Sequence, residues 1–186
     1  MKRKSICIWN LAGFFFTTAA GIFLHFLPDW YSNPIIHVLA PVNESTWEHL
    51  KLLFSPMLLF GILEFFCYGR HYPGYLPIRV CSILIGMVTI IVLFYSYTGV
   101  LGFDIPAADI AVFLLGCTAA YCFSCRQFAK TLPDNGEFSF VGKTPGGCFA
   151  HPAGIVLSLL LLATLIACFI CFSFHPPAIG LFDDPL

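Results

Sequence analysis

Charge is the first thing this sequence lacks. Of 186 residues, nine are Lys or Arg and ten are Asp or Glu, while 59% are hydrophobic. Water-soluble domains carry about a quarter charged residues, so the deficit excludes an ordinary soluble fold. A mean hydropathy of +0.87 points to lipid as the solvent. A secreted disulfide framework is missing too, because the nine cysteines lie mostly within or beside apolar runs, where a thiol behaves as a small hydrophobe. There is no H-E-x-x-H. Gly142-Lys143-Thr144 has the ending of a phosphate loop, but Gly136 is one residue too far away and no strand precedes it. No nucleic-acid partner is expected; the expected partner is the bilayer.

Five apolar segments fill most of the chain, at about 6–27, 46–68, 78–97, 107–125 and 152–174. Each is near the roughly 20 residues a membrane helix needs. The expected fold is therefore all-α, a single transmembrane domain over residues 1–186 built as a bundle of five spans. The run from Ile6 to Leu27 follows a basic MKRK start. It is longer than the apolar core of a signal peptide, so it reads as a retained first span. Asn33-Pro34 then predicts the start of a short interfacial helix carrying His37.

Basic residues concentrate on cytoplasmic loops. An N-terminus inside places Lys2, Arg3, Lys4, Arg70, Arg79, Arg126, Lys130 and Lys143 on the inner side and only Lys51 outside. A plasma-membrane protein with a cytoplasmic N-terminus and an extracellular C-terminus follows. This topology gathers His25, Asp29, His37, Asn43, Glu44, Glu48, His49, Lys51, Asp104, Asp109 and His175 at the outer helix ends and loops.

The densest part of that group is Asn43 to Glu64, NESTWEHLKLLFSPMLLFGILE. Ionisable side chains at the mouth of a membrane helix are expensive unless paired or hydrated, and so mark a functional site. Glu44, Glu48, His49 and Lys51 are the candidate catalytic residues. His25, His37, Glu48 and His49 offer imidazole and carboxylate ligands for a divalent metal. The bland account is that Ser45 and Glu48 form an S-x-x-E capping box and that Lys51, three residues from Glu48, neutralises it. Glu64 lies about 24 Å from Glu48 along a helix and cannot share its site.

On the inner side Cys122, Cys125, Cys148 and His151 spell C-x2-C-x22-C-x2-H, a spacing able to close a structural zinc site. Cys168 and Cys171 in the fifth span read as core packing.

With these residues in view, the chain resembles a family of small multi-pass membrane proteins of unknown function from anaerobic Gram-positive bacteria. The resemblance rests on LHFLPDW (Leu24 to Trp30), VNESTWEHLKLLFSPMLLF (Val42 to Phe60), FYSYTGVLG (Phe94 to Gly102) and HPPAIGLFDDP (His175 to Pro185). It implies a bacterial plasma membrane and brings no activity with it. The residues themselves suggest a metal-assisted or acid–base hydrolase acting on lipid or envelope material at the outer leaflet. The alternatives are a proton- or cation-coupled carrier or channel that continues through Glu64, and a non-catalytic membrane scaffold.

Overall fold

A computed structural model of the chain describes residues 3–31, 33–72, 74–131 and 147–182. Among these residues the fold is all helical. Helix α1 spans Arg3–Trp30, α2 Pro34–Leu39, α3 Thr46–His49, α4 Lys51–Cys67, α5 Tyr75–Leu101, α6 Pro106–Thr131 and α7 Pro152–Phe174. Five apolar stretches, in α1, α3–α4, α5, α6 and α7, are long and apolar enough to cross a membrane. The short α2 stands where an interfacial helix was expected, with the Asn33 side chain accepting hydrogen bonds from the amides of Ile35 and Ile36 and Pro34 at its first position.

The spans run alternately up and down, so their ends collect at two rims. The near rim holds the start of α1, the turn between α4 and α5, and the end of α6. The far rim holds the end of α1, α2, α3, the turn between α5 and α6, and the end of α7. Helix α5 packs along α6, and α1 packs against α4 and α6. The core between them is apolar and includes Leu53, Phe54, Met57, Ile83, Met87, Cys117 and Tyr121. Helix α7 is peripheral: only 11% of its most apolar stretch is buried, which suits a helix facing lipid. Cys171 accordingly lies exposed and Cys168 only partly buried, because α7 turns little of its surface to the core.

Close approach of α5 and α6 depends on two glycines. A Cβ on Gly116 would lie 2.5 Å from Cγ1 of Ile90 and 3.1 Å from the carbonyl oxygen of Gly86. The carbonyl is backbone and cannot rotate away, as small residues at membrane-helix contacts generally allow no substitute. Gly116→Val is expected to destabilise the bundle by about 1–3 kcal/mol through overpacking, read as a lower midpoint of unfolding in detergent. An unchanged midpoint would show that the two helices are not held in this contact.

Candidate functional site

Two buried ion pairs frame the bundle, one near each rim. At the far rim α3 runs on into α4 through Leu50, whose backbone is itself helical. Ser45 caps α3, its hydroxyl accepting from the Glu48 amide at 3.4 Å. The capping box is only half formed. The Ser45 amide donates to Asn43 Oδ1, and the Glu48 carboxylate accepts from the Val42 amide at 3.0 Å and from Lys51 Nζ at 2.5 Å. Lys51 is fully buried and Glu48 nearly so. The ammonium has three protons, and it has three close acceptors: Glu48, the Ser173 hydroxyl at 2.5 Å and the His37 carbonyl at 2.8 Å. Ser173 donates onward to the Phe169 carbonyl at 2.6 Å. Glu48 and Lys51 are thus held by each other and tie α3, α4, the end of α2 and α7 together. Trp47 strengthens the same end of the bundle by stacking near Phe169 and Phe182, with ring centroids 4.7 and 5.1 Å away.

Near the other rim Glu64, fully buried on α4, pairs with Arg79 on the second turn of α5. Tyr68 donates to Glu64 at 3.0 Å, and Tyr75 donates to the Gly61 carbonyl at 2.6 Å beside it. Burial, and then the neighbouring Glu64 carboxylate, push the Tyr68 phenol above its ordinary range, so it stays a neutral donor. Arg79 also donates to Ser124 at 3.1 Å. Its guanidinium lies over the Phe128 and Tyr121 rings at 5.3 and 5.5 Å, within cation–π range. Sequence reasoning placed Arg79 among inner-side charges. It lies near the rim that holds the start of α1, but buried within the bundle, and the available signal for that burial was Glu64, a lone carboxylate in an apolar helix that needs a cation within reach.

The remaining ionisable groups of the far rim behave differently. Glu44, His49, Asp104 and Asp109 line one cavity of about 110 Å³, with Thr46 beside them and Leu52, Ile90, Phe94, Val112 and Phe113 forming its apolar walls. His49 Nε2 lies 3.4 Å from Glu44, whose side chain is 71% exposed, so this pair adds little stability and leaves Glu44 available. The other ring nitrogen, Nδ1, sits 3.0 Å from the Ser45 carbonyl. A carbonyl can only accept, so Nδ1 carries a proton and Nε2 is the nitrogen presented to Glu44. Asp109 accepts from the Tyr97 hydroxyl. Among the described residues no Lys or Arg lines the cavity; the lysine of this rim, Lys51, is sealed in its own cradle.

The predicted residues therefore divide. His25 reaches His49, with ring centroids 5.3 Å apart, and Glu44 joins that side. His37 contributes its backbone carbonyl to Lys51, and Glu48 faces Lys51 and not the cavity lining. Among the described residues no group of three His, Cys, Asp or Glu side chains is placed to hold a metal ion. Of the C-x2-C-x22-C-x2-H set, Cys122 is exposed and Cys125 partly buried on α6, and His151 caps α7 by accepting from the Ala153 amide at 3.3 Å. The Cys148 side chain lies outside the described residues. Asp104 and Asp109, read from the sequence as members of a diffuse outer group, are lining residues. Ser173 and Tyr97 were not singled out, since neither a lone serine nor a lone tyrosine in an apolar helix signals a partner.

No curated protein and no solved structure matches the chain. A family model matches residues 1–134, which include both ion pairs and every residue lining the cavity. The chain belongs to the family of unknown function designated DUF6512.

Proposed function

We propose that this membrane bundle recognises a small cation, best an organic ammonium group, in the far-rim cavity. The observation that carries the reading is the cavity's lining: three carboxylates and one imidazole over a wall of aliphatic and phenyl groups, with no Lys or Arg among the described residues to balance them. Carboxylates near a low-dielectric wall focus a negative potential and attract a counter-cation. The apolar wall favours a ligand that is itself partly apolar, and Phe94 and Phe113 bring two aromatic rings to the lining, a residue type that attracts cations. The volume holds roughly four water-sized groups, which suits an alkylammonium or the amine end of a lipid headgroup. Charge counting supports a cytoplasmic N-terminus, so the cavity faces the outside of the plasma membrane.

Calorimetric titration of detergent-purified protein with ethylammonium tests this reading. Saturable one-to-one binding is expected, weakened at least about tenfold, or 1.4 kcal/mol, in Asp104→Asn/Asp109→Asn, with no binding of acetate. Equal affinity in the variant, or saturable acetate binding, would overturn it.

The acid–base hydrolase is a second reading with one observation behind it. The Ser45 carbonyl orients His49 so that Nε2 can exchange a proton with Glu44 or a bound group, the arrangement of a positioned general base. It predicts that His49→Gln removes headgroup hydrolysis while leaving ethylammonium binding intact. Carriage through the bilayer has weaker support, because the buried residues Leu53, Met57, Ile83 and Met87 form an apolar layer between the cavity and Glu64. A purely structural scaffold accounts for Glu48 and Lys51 but leaves the unbalanced cavity acids without a role.

A further inference from the structure

Away from the cavity, near the opposite rim, two thiols from distant parts of the sequence meet. Cys7 on α1 and Cys125 on α6 have their sulfurs 3.5 Å apart. Cys7 is exposed and Cys125 partly buried, and both are free thiols. We infer that Cys7 and Cys125 form a reversible disulfide latch between α1 and α6, closed by a hydroperoxide and opened by a thiol reductant.

The placement supports a latch better than chance packing. A disulfide needs its sulfurs about 2.05 Å apart, so closure asks for a shift of about 1.5 Å, within reach of small side-chain rotations. The exposed Cys7 is open to attack from outside the bundle, while Cys125 waits behind it, the arrangement of an attacking and a resolving thiol. The latch would also act on the interior. Asn10, one turn after Cys7, and Ser124, beside Cys125, are bonded to each other at 2.5 Å, and both accept from Arg79. Closing the thiols would therefore clamp the two helices over the guanidinium.

The chemistry balances. The Cys7 thiolate attacks the peroxide oxygen, giving a sulfenic acid and releasing the alcohol. The Cys125 thiolate then attacks the sulfenic sulfur, forming the S–S bond and releasing water. The two thiol hydrogens end in the alcohol and the water, and the hydroperoxide takes both electrons.

The test uses the full chain in lipid nanodiscs, fully reduced, treated with tert-butyl hydroperoxide, alkylated and mapped by mass spectrometry. Expected are loss of two alkylatable thiols per chain, a Cys7–Cys125 linked peptide, and recovery of both thiols with dithiothreitol. Cys122→Ser should form the same link, and Cys7→Ser should lose it while unfolding at the wild-type midpoint. Alkylation of both Cys7 and Cys125 after treatment would overturn the proposal, as would a link from either to Cys122 or between two copies of the chain.

Discussion

Arg79→Met is expected to lower the unfolding free energy by about 3–5 kcal/mol, the usual cost of stranding one member of a buried ion pair. Glu64 is fully buried, so without the guanidinium its carboxylate keeps only the neutral phenols of Tyr68 and Tyr75 close by. Water cannot replace Arg79 in an interior closed by Tyr68, Tyr75, Ile78 and Phe128. Ser124 and Asn10 lose their shared cationic donor at the same time. The double variant Glu64→Met/Arg79→Met should recover most of the loss, because a balanced apolar replacement of a buried pair is often neutral. Equilibrium unfolding in mixed micelles reads both. If the double variant proves as unstable as the single one, the charge pairing is not the source of the stability.

Lys51→Met should cost a similar amount, about 3–5 kcal/mol, with a more local signature. Its ammonium is the point where the His37 carbonyl, Glu48 and Ser173 converge. Its removal leaves a buried carboxylate and loosens the end of α7, which then keeps the Ser173–Glu48 hydrogen bond and the ring contacts of Trp47 and Phe54. Hydrogen exchange should therefore accelerate in the last turn of α7 and between His37 and Val42. Ser173→Ala removes one hydrogen-bonding group and should cost about 1 kcal/mol. Unchanged exchange in α7 of the lysine variant would mean that Lys51 does not anchor it.

Most of the helical architecture was legible because length and hydropathy alone identify a span. The boundaries were less so. Helix α1 runs from Arg3 to Trp30 and α6 from Pro106 to Thr131, longer than the apolar runs at 6–27 and 107–125 suggest. Polar residues at a span's ends, such as Asp29 or Gln127, remain helical while leaving the hydrocarbon. The Lys51–Glu48 contact was legible from its spacing of three residues. The Glu64–Arg79 pair was not, because fifteen residues and a turn intervene, and a charge near a helix end looks the same in sequence whether it points inward or to water. The cavity was visible only as a tendency of acids and histidines to share a rim. That Glu44 and His49 meet Asp104 and Asp109, while neighbouring Glu48 turns away to Lys51, follows from the rotation of α3 against α5 and α6, which tertiary packing sets.

The account separates a structural frame, Glu48–Lys51 and Glu64–Arg79, from a ligand-facing group, Glu44, His49, Asp104 and Asp109. The most direct test is the shift in melting temperature produced by ethylammonium in the wild-type protein and in Asp104→Asn/Asp109→Asn. The predicted result is a variant that melts where the wild type does without ligand, with a ligand-induced rise seen only in the wild type. A variant that melts far lower on its own, or an equal rise in both proteins, would contradict the division.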